Sequence, residues 1–174
     1  LNLTDAAVKR EMDDSNQGQD QGPTVMAYRK ALEMMGNKTD VDVKLLSVPG
    51  LRHSIVSDRG ISTTEARFDA LYIMDIEERD TLNVVVTSSI TQQISVDNTV
   101  TAFKNRALDS SFASAYFPDV IIQDPATKTN LRCPPSVAVL GAFSLNDAVA
   151  FPWFAPAGFT RGALESVQEV AVRL

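Results

Sequence analysis

Six of the eight prolines in this chain fall between Tyr116 and Gly162, at positions 118, 125, 134, 135, 152 and 156. Each fixes its own φ and pushes the residue before it toward extended geometry. Between them lie short apolar runs at 120–122 and 137–140, of strand length. The stretch predicts strands at 112–117, 120–123, 137–143 and 167–172. A short helix at 146–150 turns toward Pro152. Hydrophobic and turn-forming residues dominate, an arrangement suited to packing and assembly; nothing in it is arranged for catalysis.

Upstream, the periodicity alternates. Residues 3–12 predict a helix started by Thr4 or Asp5. Residues 13–22 are polar and lack an apolar anchor, so they read as an exposed linker. Residues 1–22 are therefore expected to form a polar N-terminal segment, and 23–174 a single α/β domain. Val25, Tyr28, Leu32 and Met35 recur at helical spacing over 24–35, and Gly36-Asn37 predicts a left-handed stop. Met26, Met34 and Met35 read as core filler. A strand over 41–48 ends at Pro49-Gly50. Residues 54–69 predict two short helical pieces, because Gly60 interrupts them and Ser62 to Glu65 has capping-box spacing. Residues 71–74 are apolar on both faces, as in a sheet covered on both sides. A further strand is expected at 81–87. A helix at 95–108 follows, capped by Ser95 or Asp97, with Val96, Val100, Phe103 and Ala107 inward. Strand–helix alternation with right-handed crossovers gives an α/β fold: a mainly parallel central sheet flanked by helices, then an antiparallel or irregular Pro-rich C-terminal part.

Composition narrows the function classes. A chain of 174 residues can bury one sizeable core. Its net charge of −6 and pI of about 4.7 argue against nucleic-acid binding, which needs a basic face. No apolar run approaches the roughly 18 residues of a membrane span. Cys133 is the sole cysteine, so no internal disulfide forms, and it reads as a small buried residue before Pro134. The balance favours assembly in a reducing cytoplasm.

Candidate chemistry is sparse. Asp42, His53 and Ser136 can be written as a triad, which needs a base to take the hydroxyl proton and an acid to orient it. Yet Ser136 follows Pro134-Pro135 with no small-residue turn beneath it, and nothing marks an oxyanion hole. His53 reads as a polar loop residue after a Pro-Gly turn. One His and one Cys, 80 positions apart, make a zinc site improbable. The carboxylate pairs Asp13-Asp14, Glu77-Glu78 and Asp40 with Asp42 read as solvated. Gly18 and Gly22 make no phosphate loop. Arg161, between Gly158 and Gly162, fits a tight turn feeding the last strand better than an anion site. Phe151, Trp153, Phe154 and Phe159 fit an interface patch and fit equally a cover for the local core. No catalytic, cofactor or metal residue is assigned, and the chain is read as a non-enzyme. The rivals are an α/β hydrolase-like domain using His53 and a secreted binding module.

The ordered series Phe117-Pro118, Asp124-Pro125, Pro134-Pro135-Ser136, Ala138-Val139, Gly141 and 153–162 resembles the contractile tail sheath protein family. Residues 43–50 resemble that family's strand and Pro-Gly turn, and 65–75 its helix end, Arg-x-Asp and following strand. The likeness runs from about Pro23 onward, with a less familiar insertion between Glu77 and Gln93. It implies an α/β core of the kind described as subtilisin-like, a label of fold and not of proteolysis. It implies a structural subunit, many copies of which form a helical sheath of hexameric rings around an inner tail tube. Baseplate and tail terminator proteins would be further partners, and the location a phage virion tail assembled in the host bacterial cytoplasm. Contraction would drive the tube through the host cell envelope for genome delivery, without nucleotide hydrolysis, nucleic-acid binding or membrane insertion. The family has a further C-terminal portion and strand-donating extensions. The chain is therefore expected to be the core of a longer protein and monomeric by itself.

Overall fold

The computed structural model describes residues 2–12, 22–86, 93–151, 153–164 and 166–173, with residues 2–4 as backbone alone. The expected loop at 13–21, the pair Asp13-Asp14 and the end of the strand expected at 81–87 lie outside the described residues. The chain forms two compact units, residues 1–116 and 117–174. The expected boundary at residue 22 does not coincide with that division, and the first helix belongs to the first unit.

In the N-terminal unit the elements run α1 (Asn2–Arg10), α2 (Pro23–Met35), β1 (Leu45–Ser47), α3 (Ser54–Arg67), β2 (Leu71–Asp75), α4 (Val96–Lys104) and β3 (Ala113–Tyr116). The strands form one parallel sheet in the order β1-β2-β3, with Leu46 opposite Tyr72 and Met74 opposite Ala115. Each crossover contains a helix, as parallel pairing requires. Two apolar clusters hold the unit. Val8, Val25, Leu32, Leu51 and Val56 join α1, α2 and α3, while Ile61, Tyr72 and Met74 pack α3 on β2, with Phe103 of α4 against them. Leu46 and Val48 touch both clusters. Helix α2 starts with Pro at its first position and lacks a side-chain cap at Gly22. The Glu11 carboxylate, just past α1, instead accepts from the Thr24 and Val25 amides at 3.0 and 3.1 Å. That satisfies donors which every helix start leaves orphaned.

Local expectations fail here where tertiary contact overrides propensity. Helix α3 is continuous through Gly60. A Cβ at Gly60 would sit 2.5 Å from the Tyr72 ring, so this glycine admits the sheet to the helix and does not interrupt it. Gly36 caps α2 in the right-handed region at φ −69° and not in the left-handed one. The strand expected over 41–48 shortens to β1. Residues 81–83 form a turn, set by the Asp80 carboxylate accepting from the Leu82 and Val84 amides at 2.9 and 2.8 Å, and 84–86 return beside 78–80 through a single Arg79–Val85 bridge in place of a full strand. In α4, Val100 faces solvent and Thr99 faces inward, its hydroxyl accepting from the Arg79 amide at 2.9 Å.

The C-terminal unit runs β4 (Val120–Gln123), β5 (Asn130–Cys133), α5 (Pro135–Val149), α6 (Gly158–Arg161) and β6 (Val167–Val170). Its sheet is antiparallel, in the order β5-β4-β6. Asp124 organises the β4–β5 turn by accepting from the Ala126 amide at 3.0 Å and the Thr127 hydroxyl at 2.6 Å. These bonds hold its carboxyl below the usual range. The strand expected at 137–143 is a helix, and the short helix expected at 146–150 is the end of it. Pro135 at the first helical position is preorganised for helix, and the apolar run is longer than one strand needs. Strand β5 was not anticipated, since Asn-Leu-Arg-Cys has little strand character; pairing with β4 creates it.

The molecule is thus mixed α/β, parallel in its N-terminal unit and antiparallel in its Pro-rich C-terminal unit.

Candidate functional site

Ligands of open parallel sheets bind beyond the carboxyl ends of the strands, and here that edge is filled by paired charges. After β1 the chain turns at Gly50, whose φ of 77° suits glycine and whose amide donates to the Asp75 carboxylate at 2.9 Å. The next loop is tied to α1 by the Arg52 amide, which donates to Asp5 at 2.9 Å. The Arg52 guanidinium lies 3.3 Å from the Glu78 carboxylate and donates to the Ile76 carbonyl at 3.3 Å. Both side chains of that pair are buried, so Glu78 is not the solvated carboxylate its sequence suggests. Glu77 borders a cavity of about 190 Å³ with Ser54, Arg79, Phe103 and Arg106. Burial raises the Glu77 carboxyl, Asp5 adds to the rise, and His53, Arg79 and Arg106 oppose it. Arg106 pairs with Asp58 at 2.5 Å and donates to the Ser57 hydroxyl at 2.9 Å. The edge works as a brace joining α1, α3, α4 and the loops after β1 and β2.

His53 is the N-cap of α3. Its Nδ1 accepts from the Ile55 amide at 3.3 Å. In the neutral ring the proton then sits on Nε2, so neither nitrogen offers a free lone pair to a nucleophile. Asp42 is exposed and pairs with Lys44 at 3.2 Å. Ser136 is buried at the start of α5, in the other compact unit. Among the described residues no group of three or more His, Cys, Asp or Glu side chains is placed to hold a metal ion.

Arg67 entered the sequence reading only as part of the Arg-x-Asp at 67–69, with no structural role given to it. It is fully buried, pairs with Asp69 at 2.9 Å, and donates to the Val41 carbonyl at 2.9 Å and to the Met35 carbonyl. It ties the end of α3 to the segment between α2 and β1. The Arg-x-Asp spacing was the one sequence signal of this pair; the carbonyl partners Met35 and Val41 lie too far away in the chain to be read.

The C-terminal unit presents the opposite chemistry. Val120 is the one aliphatic or aromatic side chain buried among its described residues, beside the prolines 118, 134 and 135. Phe151, Trp153, Phe154 and Phe159 lie on the surface, with Trp153 75 % and Phe159 99 % exposed. The open choice between interface patch and core cover resolves toward surface exposure. Phe151 stacks on Trp153 at 4.8 Å, and Phe154 meets Phe151 edge-on at 5.7 Å. The Arg161 guanidinium lies 4.9 Å from the Phe154 ring centroid. Beneath them the buried Asn146 amide donates to the Phe154 carbonyl at 3.0 Å. Gly158, at φ 77°, opens the helical turn that carries Phe159 and Arg161. The same unit holds an apolar groove of about 330 Å³ along β4 and α5, and Cys133 lines it. Burial raises the Cys133 thiol, as does nearby Asp119. Exposed apolar patches of this kind mark interaction surfaces.

The sequence matches no protein-family model and no curated protein.

Proposed function

We propose that the chain is the core of a contractile tail sheath subunit, a structural protein and not an enzyme. The observation that carries this reading is the C-terminal unit: Phe151, Trp153, Phe154 and Phe159 and the apolar residues Val137 and Val149 of α5 stay outside, over a unit with little buried apolar core among its described residues. The same residues, 117–162, carry the sequence resemblance to sheath proteins. In this reading the parallel sheet belongs to a subtilisin-like core whose Ser and His positions have structural duties. The braced N-terminal unit acts as a rigid block, and the C-terminal unit supplies surface for neighbouring copies. Copies stack as hexameric rings into a helical sheath around the inner tail tube, between baseplate and tail terminator. The extended sheath is metastable, and contraction drives the tube through the host envelope. The energy is held in contacts between subunits, so the mechanism requires no active site.

The test is negative-stain electron microscopy of the full-length parent protein, alone and with its inner tube protein. Hollow striated tubes are expected in at least one sample. Dispersed compact particles in both would contradict the reading.

A further inference from the structure

We propose that the cavity lined by Arg79 and Arg106, beyond the carboxyl end of β2, binds a small organic acid through its carboxylate. The proposal is independent of the sheath reading and gives the N-terminal unit a ligand. The cavity measures about 190 Å³. Ser54, Glu77, Arg79 and Arg106 supply its polar wall, and Ile76, Ala102 and Phe103 its apolar one. Both guanidinium groups are already held in place. Arg79 Nη1 donates to the Asn83 carbonyl at 2.9 Å. Arg106 Nη2 donates to the Ser57 hydroxyl at 2.9 Å and to the Asp58 carboxylate at 2.5 Å. Donors are left over. Arg79 Nε is buried with no hydrogen-bond partner among the described residues. Arg79 Nη2 has Glu77 at 3.9 Å, beyond hydrogen-bond reach. Arg106 Nε and Nη1 make no hydrogen bond among the described residues. A buried donor without an acceptor is costly, and an acceptor group lodged in the cavity removes that cost.

Charge and shape select the acceptor. Among the lining residues two guanidinium groups face one carboxyl, a surplus of one positive charge. Asp58, which engages Arg106, is 56 % exposed, so solvent screens it. A monoanion balances the surplus, whereas a phosphate dianion overshoots it and crowds Glu77. The planar guanidinium fork matches a carboxylate. Ser54 is the first residue of α3, whose positive end favours the same sign of ligand. The apolar wall takes the carbon chain of the acid. The volume lies below the roughly 300–1,000 Å³ of drug-sized sites, so the acid is small. Neighbouring charges make its binding pH-dependent. Glu77 faces Asp5 of α1, His53 at the start of α3, Arg79 of its own loop and Arg106 after α4. A carboxylate bound beside Glu77 favours its protonated form, which can donate to the ligand. Binding then takes up a proton, and affinity falls as pH rises through the Glu77 titration.

The test is titration of the full chain with butyrate, followed by calorimetry and by amide NMR shifts. Butyrate should bind saturably at one site. Its heat should vary with the ionisation enthalpy of the buffer, the mark of proton uptake. From about pH 8 to about pH 6, where butyrate stays ionised, affinity should rise about 3-fold or more. Butanol lacks the charge and inorganic phosphate lacks the apolar body, so each should bind about 10-fold more weakly or worse. Ala102→Leu narrows the cavity without touching a charged group and should weaken butyrate about 10-fold. Arg79→Lys keeps the charge, loses the fork and should also weaken it. Glu77→Gln should still bind butyrate but lose the pH slope and the proton uptake. The ligand series and the pH slope need no variant, so they decide even where a variant fails to fold. No saturable binding of butyrate, equal binding of butanol or phosphate, or an affinity independent of pH would overturn the proposal. So would undiminished binding by a folded Ala102→Leu chain. None of these results bears on the sheath reading, which stands or falls on tube formation.

Discussion

Tyr72 and Trp153 are both large aromatic residues, yet Tyr72 is 1 % exposed and Trp153 75 %. Tyr72 lies on the central strand of a parallel sheet, its ring filling the space that Gly60 leaves open. Trp153 stacks on Phe151 and faces outward. The N-terminal unit buries two apolar clusters, although Phe68 and Leu82 stay exposed, and is locked by Arg52–Glu78 beyond the carboxyl ends of its strands and by Arg67–Asp69 before β2. The C-terminal unit has a sheet, a long apolar helix and very little core. Burying one large side chain contributes roughly 1.5–3 kcal/mol. A unit that leaves this contribution unrealised in one molecule can realise it between molecules. One chain thus holds a well-packed block and a unit with little apolar core of its own among its described residues.

The contrast can be broken most severely at Arg67. Arg67→Met strips hydrogen bonds from the Met35 and Val41 carbonyls and leaves Asp69 only Lys44, at 3.9 Å. Two part-buried acceptors without donors should cost roughly 2 kcal/mol. The Asp69 part is smaller, since that side chain is 34 % exposed. Urea unfolding should show the midpoint falling with little change in slope. An unchanged midpoint would remove Arg67 from the lock.

Gly60→Ala comes next. Its Cβ would meet the Tyr72 ring at 2.5 Å, so overpacking should cost about 1–3 kcal/mol. Thermal melting would check this. Stabilisation, as expected of Ala in an ordinary helix, would mean that the helix–sheet contact is looser than described.

Glu77 gives a pH-dependent term. Burial holds its carboxyl above the ordinary carboxylate value. Between the unfolded and folded pKa values the folded chain therefore keeps a proton that the unfolded chain has lost. Stability falls as pH rises through that window. Glu77→Gln should remove this slope, making the variant more stable than the parent at pH 7 and equal to it at low pH. Asp69, which Arg67 holds low, contributes the opposite slope, and it cancels because both proteins carry it. Melting curves across pH would decide, and parallel profiles would refute the assignment.

The smallest effect on stability is expected in the C-terminal unit. Phe159→Ser should change unfolding by less than about 0.5 kcal/mol, because the side chain is 99 % exposed. On the proposed sheath reading it should nonetheless reduce tube formation. A large loss of stability would show that Phe159 serves the fold and not the assembly.

The sequence made β2, β3, β4 and α2 legible because their periodicity and their burial agree. Ser95 was legible as a cap because its hydroxyl accepts from the Asn98 amide, as the residue type predicts. The misread elements are those decided by partners far away in the chain. Gly60 reads as a helix breaker until Tyr72 is seen against it. The run at 137–143 reads as a strand until Pro135 is seen starting a long helix. The charged edge was invisible because Arg52 and Glu78 are 26 positions apart and each reads alone as solvated. The aromatic patch was half legible: its composition flagged it, but only the fold places it outside.

Amide hydrogen exchange on the dilute chain tests the two-unit contrast most directly. Buried, locked elements exchange at the rate of global opening, and thinly covered ones exchange through local opening. The account predicts strong protection across β2, from Tyr72 to Asp75, and much faster exchange in α5 and β4. Equal protection in the two units would contradict it, since the C-terminal unit would then be stable without a neighbour.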